Sequence, residues 1–172
     1  MKREKRRHAK PNPNAPPELS RLAFLVGKWR CEARLKQEDG TWTPLKATWE
    51  GRYILDGYAI ADEYRMTTLA GEVLVLGVNM RAYDSKHKTW NMKWLNALTG
   101  RWTDVGSEEM GGVTVTEQTI SCTVKEPVAG HAFTRSTYTS ISTSHFTWRG
   151  EKSDDGKTWE EFLVIEAYRS KK

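Results

Sequence analysis

Residues 17–35 read PELSRLAFLVGKWRCEARL, and the fold follows from how the pattern changes inside them. Up to Val26, the apolar residues Leu19, Leu22, Ala23, Leu25 and Val26 recur near a helical period behind a Pro-Glu start. That predicts two or three helical turns with one greasy face. Gly27 is the expected stop. From Trp29 the period falls to two, with Trp29, Cys31, Ala33 and Leu35 on one side and Arg30, Glu32, Arg34 and Lys36 on the other. This is a half-buried strand, entered from a helix placed to plug one end of a barrel.

Working outward, the stretch before the helix is basic. The first ten residues hold six Lys or Arg and one Glu, a net +5 that equals the charge of all 172 residues, so the rest of the chain is neutral. Pro11, Pro13, Pro16 and Pro17 follow. Such a composition buries too little apolar surface to order itself, so residues 1–16 are expected to form a disordered tail ahead of one domain over 17–172. A solvated leader is the first reading of that tail, ahead of an electrostatic contact with nucleic acid. No apolar run approaches the roughly 18 residues of a membrane span. The two cysteines, Cys31 and Cys122, sit mid-strand without a Cys-x-x-Cys pair and read as buried thiols, in a reducing cytoplasm.

Beyond the first strand, turn residues recur every 8–12 positions. Strands are predicted near residues 45–53, 58–67, 72–83, 89–96, 102–109, 113–124, 132–141, 145–152 and 158–169. Asp39-Gly40, Asp56-Gly57 and the run Ser153 to Lys157 carry hairpin chemistry. Around residues 58–67, Ile60, Asp62, Tyr64 and Met66 alternate with Ala59, Ala61, Glu63 and Arg65. An ionisable group therefore points inward in either register, which a dry core tolerates only if the charge is paired.

The expected fold is all-β: a closed antiparallel up-and-down barrel of about ten strands, with the short N-terminal helix plugging its floor. Short turns force antiparallel neighbours, and an even count lets the last strand pair with the first. A two-sheet sandwich is the alternative from the same pattern. Ten strands exceed the roughly eight whose side chains just fill a barrel, so a cavity is expected. Closure would also bring Arg169 over the indole of Trp29.

Several motifs carry a resemblance: Gly27-Lys28-Trp29 after the helix, Leu55-Asp56-Gly57-Tyr58, Tyr83-Asp84 before Trp90, and Ser153 through Trp159. Together they resemble a bacterial family of uncharacterised lipocalin-like (calycin) barrels, over about residues 18–169. The plan is similar to nitrobindins and fatty-acid-binding proteins. What the resemblance implies is a small-molecule binder. It also implies a basic residue of the last strand against the entry Trp. Nitrobindins hold haem through a histidine near the C-terminal end, and no flanking motif of theirs is present.

The candidate site residues are Trp49, Tyr64, Met92, Trp94, His145 and Trp148, taken from mid-strand positions that could face a cavity. Eight tryptophans are many for this length; Trp90 and Trp102 belong to the same set, and ordinary core filling is the competing account. His8, His87 and His131 fall in the tail or at turns. His145 is the one histidine inside a strand and the candidate haem ligand or proton carrier. Adjacent carboxylates such as Glu108-Glu109 and Glu160-Glu161 point opposite ways on a strand. Phosphate loops, metal-ligand spacings and nucleophile elbows are absent. Binding of a small apolar or aromatic ligand without chemistry is the leading function. A cyclase or isomerase using Tyr64, Glu63 or His145, and a haem protein using His145, are the alternatives; monomer and homodimer both stay open.

Overall fold

The computed structural model describes residues 10–106, 112–116, 118–124 and 130–171. The entry helix, Pro17–Leu25, is a 3-10 helix in which Leu19, Leu22 and Leu25 are fully buried. Their spacing of three matches a helix of three residues per turn, so the leucines stack on one face. The helix ends at Leu25 with Val26 already extended, so Gly27 is not its stop but the opening of the first strand, at φ 126°, where a Cβ would collide with the Arg169 guanidinium.

Among the described residues eleven strands follow, β1 (Gly27–Lys36), β2 (Trp42–Ile54), β3 (Ala59–Thr67), β4 (Val73–Asp84), β5 (Thr89–Asn96) and β6 (Arg101–Val105) in the first half. The second half holds β7 (Val113–Val115), β8 (Ile120–Val124), β9 (Phe133–Thr139), β10 (His145–Ser153) and β11 (Glu160–Arg169). They form one antiparallel sheet in the order β6-β5-β4-β3-β2-β1-β11-β10-β9-β8-β7. A single sheet removes the sandwich alternative.

First and last strands pair as the parity of the chain demands, with Trp29 opposite Arg169 and Cys31 opposite Ala167. The Arg169 guanidinium lies 4.1 Å from the Trp29 ring. It also donates to the Val26 and Phe24 carbonyls at 2.9 and 3.3 Å and to the Thr143 carbonyl. The arginine thus satisfies carbonyls left open at the helix end, a larger role than the ring contact alone.

The expected single strand over 113–124 is two strands, because Thr116 interrupts it. The Thr116 hydroxyl takes the Thr119 N–H at 2.9 Å while the Thr116 N–H donates to the Thr119 carbonyl at 2.9 Å, a side-chain turn that competes with the ladder. Antiparallel pairing around the sheet makes β6 and β7 run in the same direction, so the chain does not reverse between them. The parity expected for ten strands therefore survives in eleven. Full closure does not: β6 and β7 are the two ends of the sheet, and no ladder joins them among the described residues. One backbone bond, Gly106 N–H to the Thr123 carbonyl at 3.2 Å, spans the seam from β6 to β8. Glu108-Glu109 and the break at Glu126-Pro127 lie outside the described residues.

Within the stretch expected to be a detached tail, Asn12 donates from its backbone to Gly57 and from its side chain to Asp56, both at 3.0 Å. Ala15 packs against the core. The Asp56-Gly57 turn, with both residues at positive φ, is what makes this docking close, since a Cβ on Gly57 would meet the Asn12 backbone. Residues 1–9 lie outside the described residues.

Candidate functional site

The inward row of β3 is Ile60, Asp62, Tyr64 and Met66, and the carboxylate it carries inside is paired. Asp62 has no exposed surface, and Arg81 of β4 is 2% exposed. Arg81 Nε donates to Asp62 Oδ2 at 2.7 Å, while Nη2 reaches Asp62 Oδ1 at 3.3 Å and the Tyr138 hydroxyl at 3.0 Å. Trp49 Nε1 and Asn79 Nδ2 also donate to Asp62 Oδ1, at 2.8 and 3.1 Å. Burial works against the Arg81 charge, but the Asp62 carboxylate, together with Tyr138 and Cys122, more than offsets it, so the guanidinium stays protonated. Both charges are thereby cancelled by a private partner.

Tyr138 hands this network to the floor. Its ring packs on Phe24 and Phe146, which in turn packs edge-on against Trp29 at 4.8 Å. On the other side of Arg81 the barrel is hollow. A cavity of ≈ 210 Å³ lies among residues of β2 to β6 and β8 to β11, with Trp49, Trp94 and Trp148 as aromatic walls. Two glycines give these rings their place. The six-membered ring of Trp94 occupies the volume a Cβ on Gly77 would need, and Trp148 with Phe162 crowds Gly150 at 2.9 Å. Thr103 and Val105 of β6 and Cys122 and Val124 of β8 line the cavity on the two sides of the seam.

Of the six candidate residues, the structure brings Trp49, Tyr64, Trp94 and Trp148 to this cavity. Met92 is buried beneath it, its sulfur taking an Arg81 Nη1 hydrogen at 3.4 Å. His145 stands on the opposite face of its strand: Phe146 and Trp148 point inward, and the His145 ring meets Glu166 at 2.8 Å and lies beside Tyr168. A haem ligand in the cavity would need the reverse alternation. Glu63 is likewise outside, accepting from Arg52 at 2.9 Å. Trp102 is half exposed, Trp90 is packed on Tyr83, and Trp42 lies under Arg34 at the start of β2. His87 and His131 pair with Asp84 and Asp154 at exposed turns.

Tyr64 presents its ring to the cavity, while its hydroxyl is buried and without a hydrogen-bond partner among the described residues. Burial, with Cys31 adding to it, pushes that phenol well above its ordinary range. Burial likewise raises the Cys122 thiol to about 11, against a smaller opposing pull from Arg81. Both stay neutral at ordinary pH; of the three groups considered as proton carriers, Tyr64 reaches the cavity while Glu63 and His145 lie on the outer face of their strands.

The residues that sequence reasoning missed are Asn79, Arg81 and Tyr138. The available signal was that an inward carboxylate on residues 58–67 requires a cation on a neighbouring strand, and Arg81 is the basic residue on the same face of β4 as Asn79, opposite Asp62.

The fold and site together define a curled antiparallel β-barrel with an internal apolar cavity. No family model and no curated protein sequence matches the chain. Solved structures do match. Rv2717c from M. tuberculosis superposes with a TM-score of 0.63 at 11% identity, covering 92% of this chain and 100% of its own. The S-type phycobiliprotein lyase CPES from Guillardia theta gives 0.53 at 11% identity, covering 88% and 91%. This likeness shows the β-barrel fold. Among the described residues no group of side chains could hold a metal, and no helix is long and apolar enough to cross a membrane.

Proposed function

We propose that the protein binds one small, flat, uncharged apolar molecule inside the barrel, as a cytoplasmic member of the lipocalin-like barrels, without acting on it. The observation that carries this reading is the cavity walled by Trp49, Trp94 and Trp148, whose charged lining residue, Arg81, is already neutralised by Asp62. Drug-sized ligands occupy about 300–1,000 Å³; at ≈ 210 Å³ the occupant here is one ring or a fused pair. Apolar walls with a few polar groups are what such a site needs.

The test is native mass spectrometry of freshly purified protein, together with titration by an uncharged naphthalene-type probe read through tryptophan quenching. A one-to-one adduct or saturable quenching is expected. Trp94→Ala should weaken binding far more than Trp42→Ala, since Trp42 lies outside the cavity. Equal effects, or no saturable binding of any apolar probe, would mean a space that takes no ligand.

A further inference from the structure

We propose that Asn79 selects the occupant, and that the ligand carries an N–H or O–H donor for its carbonyl oxygen. This rests on the cavity being a ligand site, as read above. Asp62 Oδ1 lies 3.1 Å from the Asn79 amide end. A carboxylate accepts and cannot donate, so the amide has to turn its Nδ2 towards Asp62. The side chain lines the cavity, and its free end is therefore the acceptor Oδ1. That oxygen has no hydrogen-bond partner among the described residues. Donation to the charged Asp62 polarises the amide and makes the carbonyl a stronger acceptor than an ordinary asparagine offers.

The other polar groups in the wall do not impose the same choice. Thr103, Thr134 and Ser136 carry hydroxyls, as does Tyr64, and each can donate or accept as the ligand requires. Arg81 has Nε and Nη2 committed to Asp62 and Tyr138 and Nη1 engaged with the Met92 sulfur. A charged ligand would lose its hydration and find no counter-ion, because Arg81, the one cation among the described lining residues, is already spent on Asp62. Trp94 lies directly cross-strand from Asn79, with its ring spread over Gly77. An aromatic face and a lone acceptor therefore stand side by side, at the roughly 5 Å of a cross-strand pair. The chemistry that fits both is an uncharged fused aromatic ring with a donor on its edge, of the indole or naphthol kind.

Indole and benzofuran test this, since they share a bicyclic shape and differ in N–H against ring oxygen. Their affinities for the whole protein are measured by isothermal titration calorimetry, in the native sequence and in Asn79→Leu, Thr103→Val and Ser136→Ala. The ratio of indole to benzofuran affinity is expected to fall about tenfold in Asn79→Leu, the size of one good hydrogen bond, and to persist in the other two variants. An unchanged ratio in Asn79→Leu, or its loss in Thr103→Val or Ser136→Ala, overturns the assignment to Asn79 while leaving the cavity a binding site. Failure of both compounds to bind the native protein overturns the ligand class and the binding reading together. Should Asn79→Leu not fold, judged by near-ultraviolet circular dichroism, the two hydroxyl variants decide: persistence supports Asn79, loss refutes it.

Discussion

The two halves of the barrel interior are built from the same kinds of residue and come to opposite ends. At the floor, Leu19, Leu22, Leu25, Trp29 and Phe146 are sealed to within 1% of full burial, with aromatic edges against faces and Arg169 closing the carbonyls below. Past the Asp62–Arg81 pair, Trp94 and Trp148 are only half-buried, and they surround a space instead of filling it. Aromatic content alone does not make a core or a pocket. The difference lies in what opposes each ring: a second large side chain at the floor, a glycine and a void in the cavity.

The largest expected effect separates these halves directly. Phe146→Ala should remove about 3–5 kcal/mol of stability, because Trp29, Trp49, Phe24 and Tyr138 all lose contact with one ring. Trp148→Ala, truncating a larger side chain that already faces a void, should lose clearly less. Chemical denaturation of the two variants checks the order, and equal losses would mean the cavity wall is as tightly packed as the floor. Next comes the boundary between them. Arg81→Met leaves Asp62 buried without its cation and should cost about 3–5 kcal/mol, whereas Asp62→Leu with Arg81→Met should recover much of that loss. Additive losses in that cycle would show the two groups to be uncoupled.

A further effect comes with alkaline pH. Burial raises Cys31 from 9.0 to about 12 and Cys122 from 9.0 to about 11, so both thiols favour the neutral form in the fold. A group raised in this way gives its full stability below the unfolded value and loses it as pH climbs through the folded one. Stability should therefore hold up to about pH 9 and decline from there to pH 11–12, by several kcal/mol. Replacing both cysteines by alanine should flatten that decline, although tyrosine ionisation will remain beneath it. The smallest effect has the opposite sign. The Tyr138 hydroxyl is held by Arg81 while that of Tyr64 has no partner among the described residues, so Tyr64→Phe should be neutral or stabilise by about 1 kcal/mol. A clear loss in the melting temperature would show that the Tyr64 hydroxyl has a partner in solution.

Much of the fold was legible in the sequence, for reasons that are local. The period change at Trp29 marks the helix-to-strand junction, and short turns between alternating strands allow the first and last strands to pair, the arrangement that places Arg169 on Trp29. The break at Thr116 was not legible, since Val113 to Val124 is made of strand formers and only hydroxyl bonds to the backbone divide it. The Asp62–Arg81 pair was half legible: alternation demanded an inward charge near residue 62. Its partner depends on the β3–β4 register, which a bulge between Met66 and Thr67 shifts. His145 needed only its own strand's alternation, because Phe146, Trp148 and Gly150 form the row that a barrel would turn inward.

The order of the sheet has a consequence for synthesis on the ribosome. β1 lies at the middle of the sheet and completes its ladder only with β11, while its outer ends, β6 and β7, are consecutive in the chain. A nascent chain that has emerged through β6 can zip up half the barrel, yet it carries a bare β1 edge until the last strand is translated. Rewiring the chain would remove that wait. A circular permutant opened between β6 and β7, with the end of β11 joined by a short linker to the segment ahead of the entry helix, turns the whole sheet into a meander read from one end to the other. Such a permutant should fold faster than the natural order, because its longest-range pairing has become local.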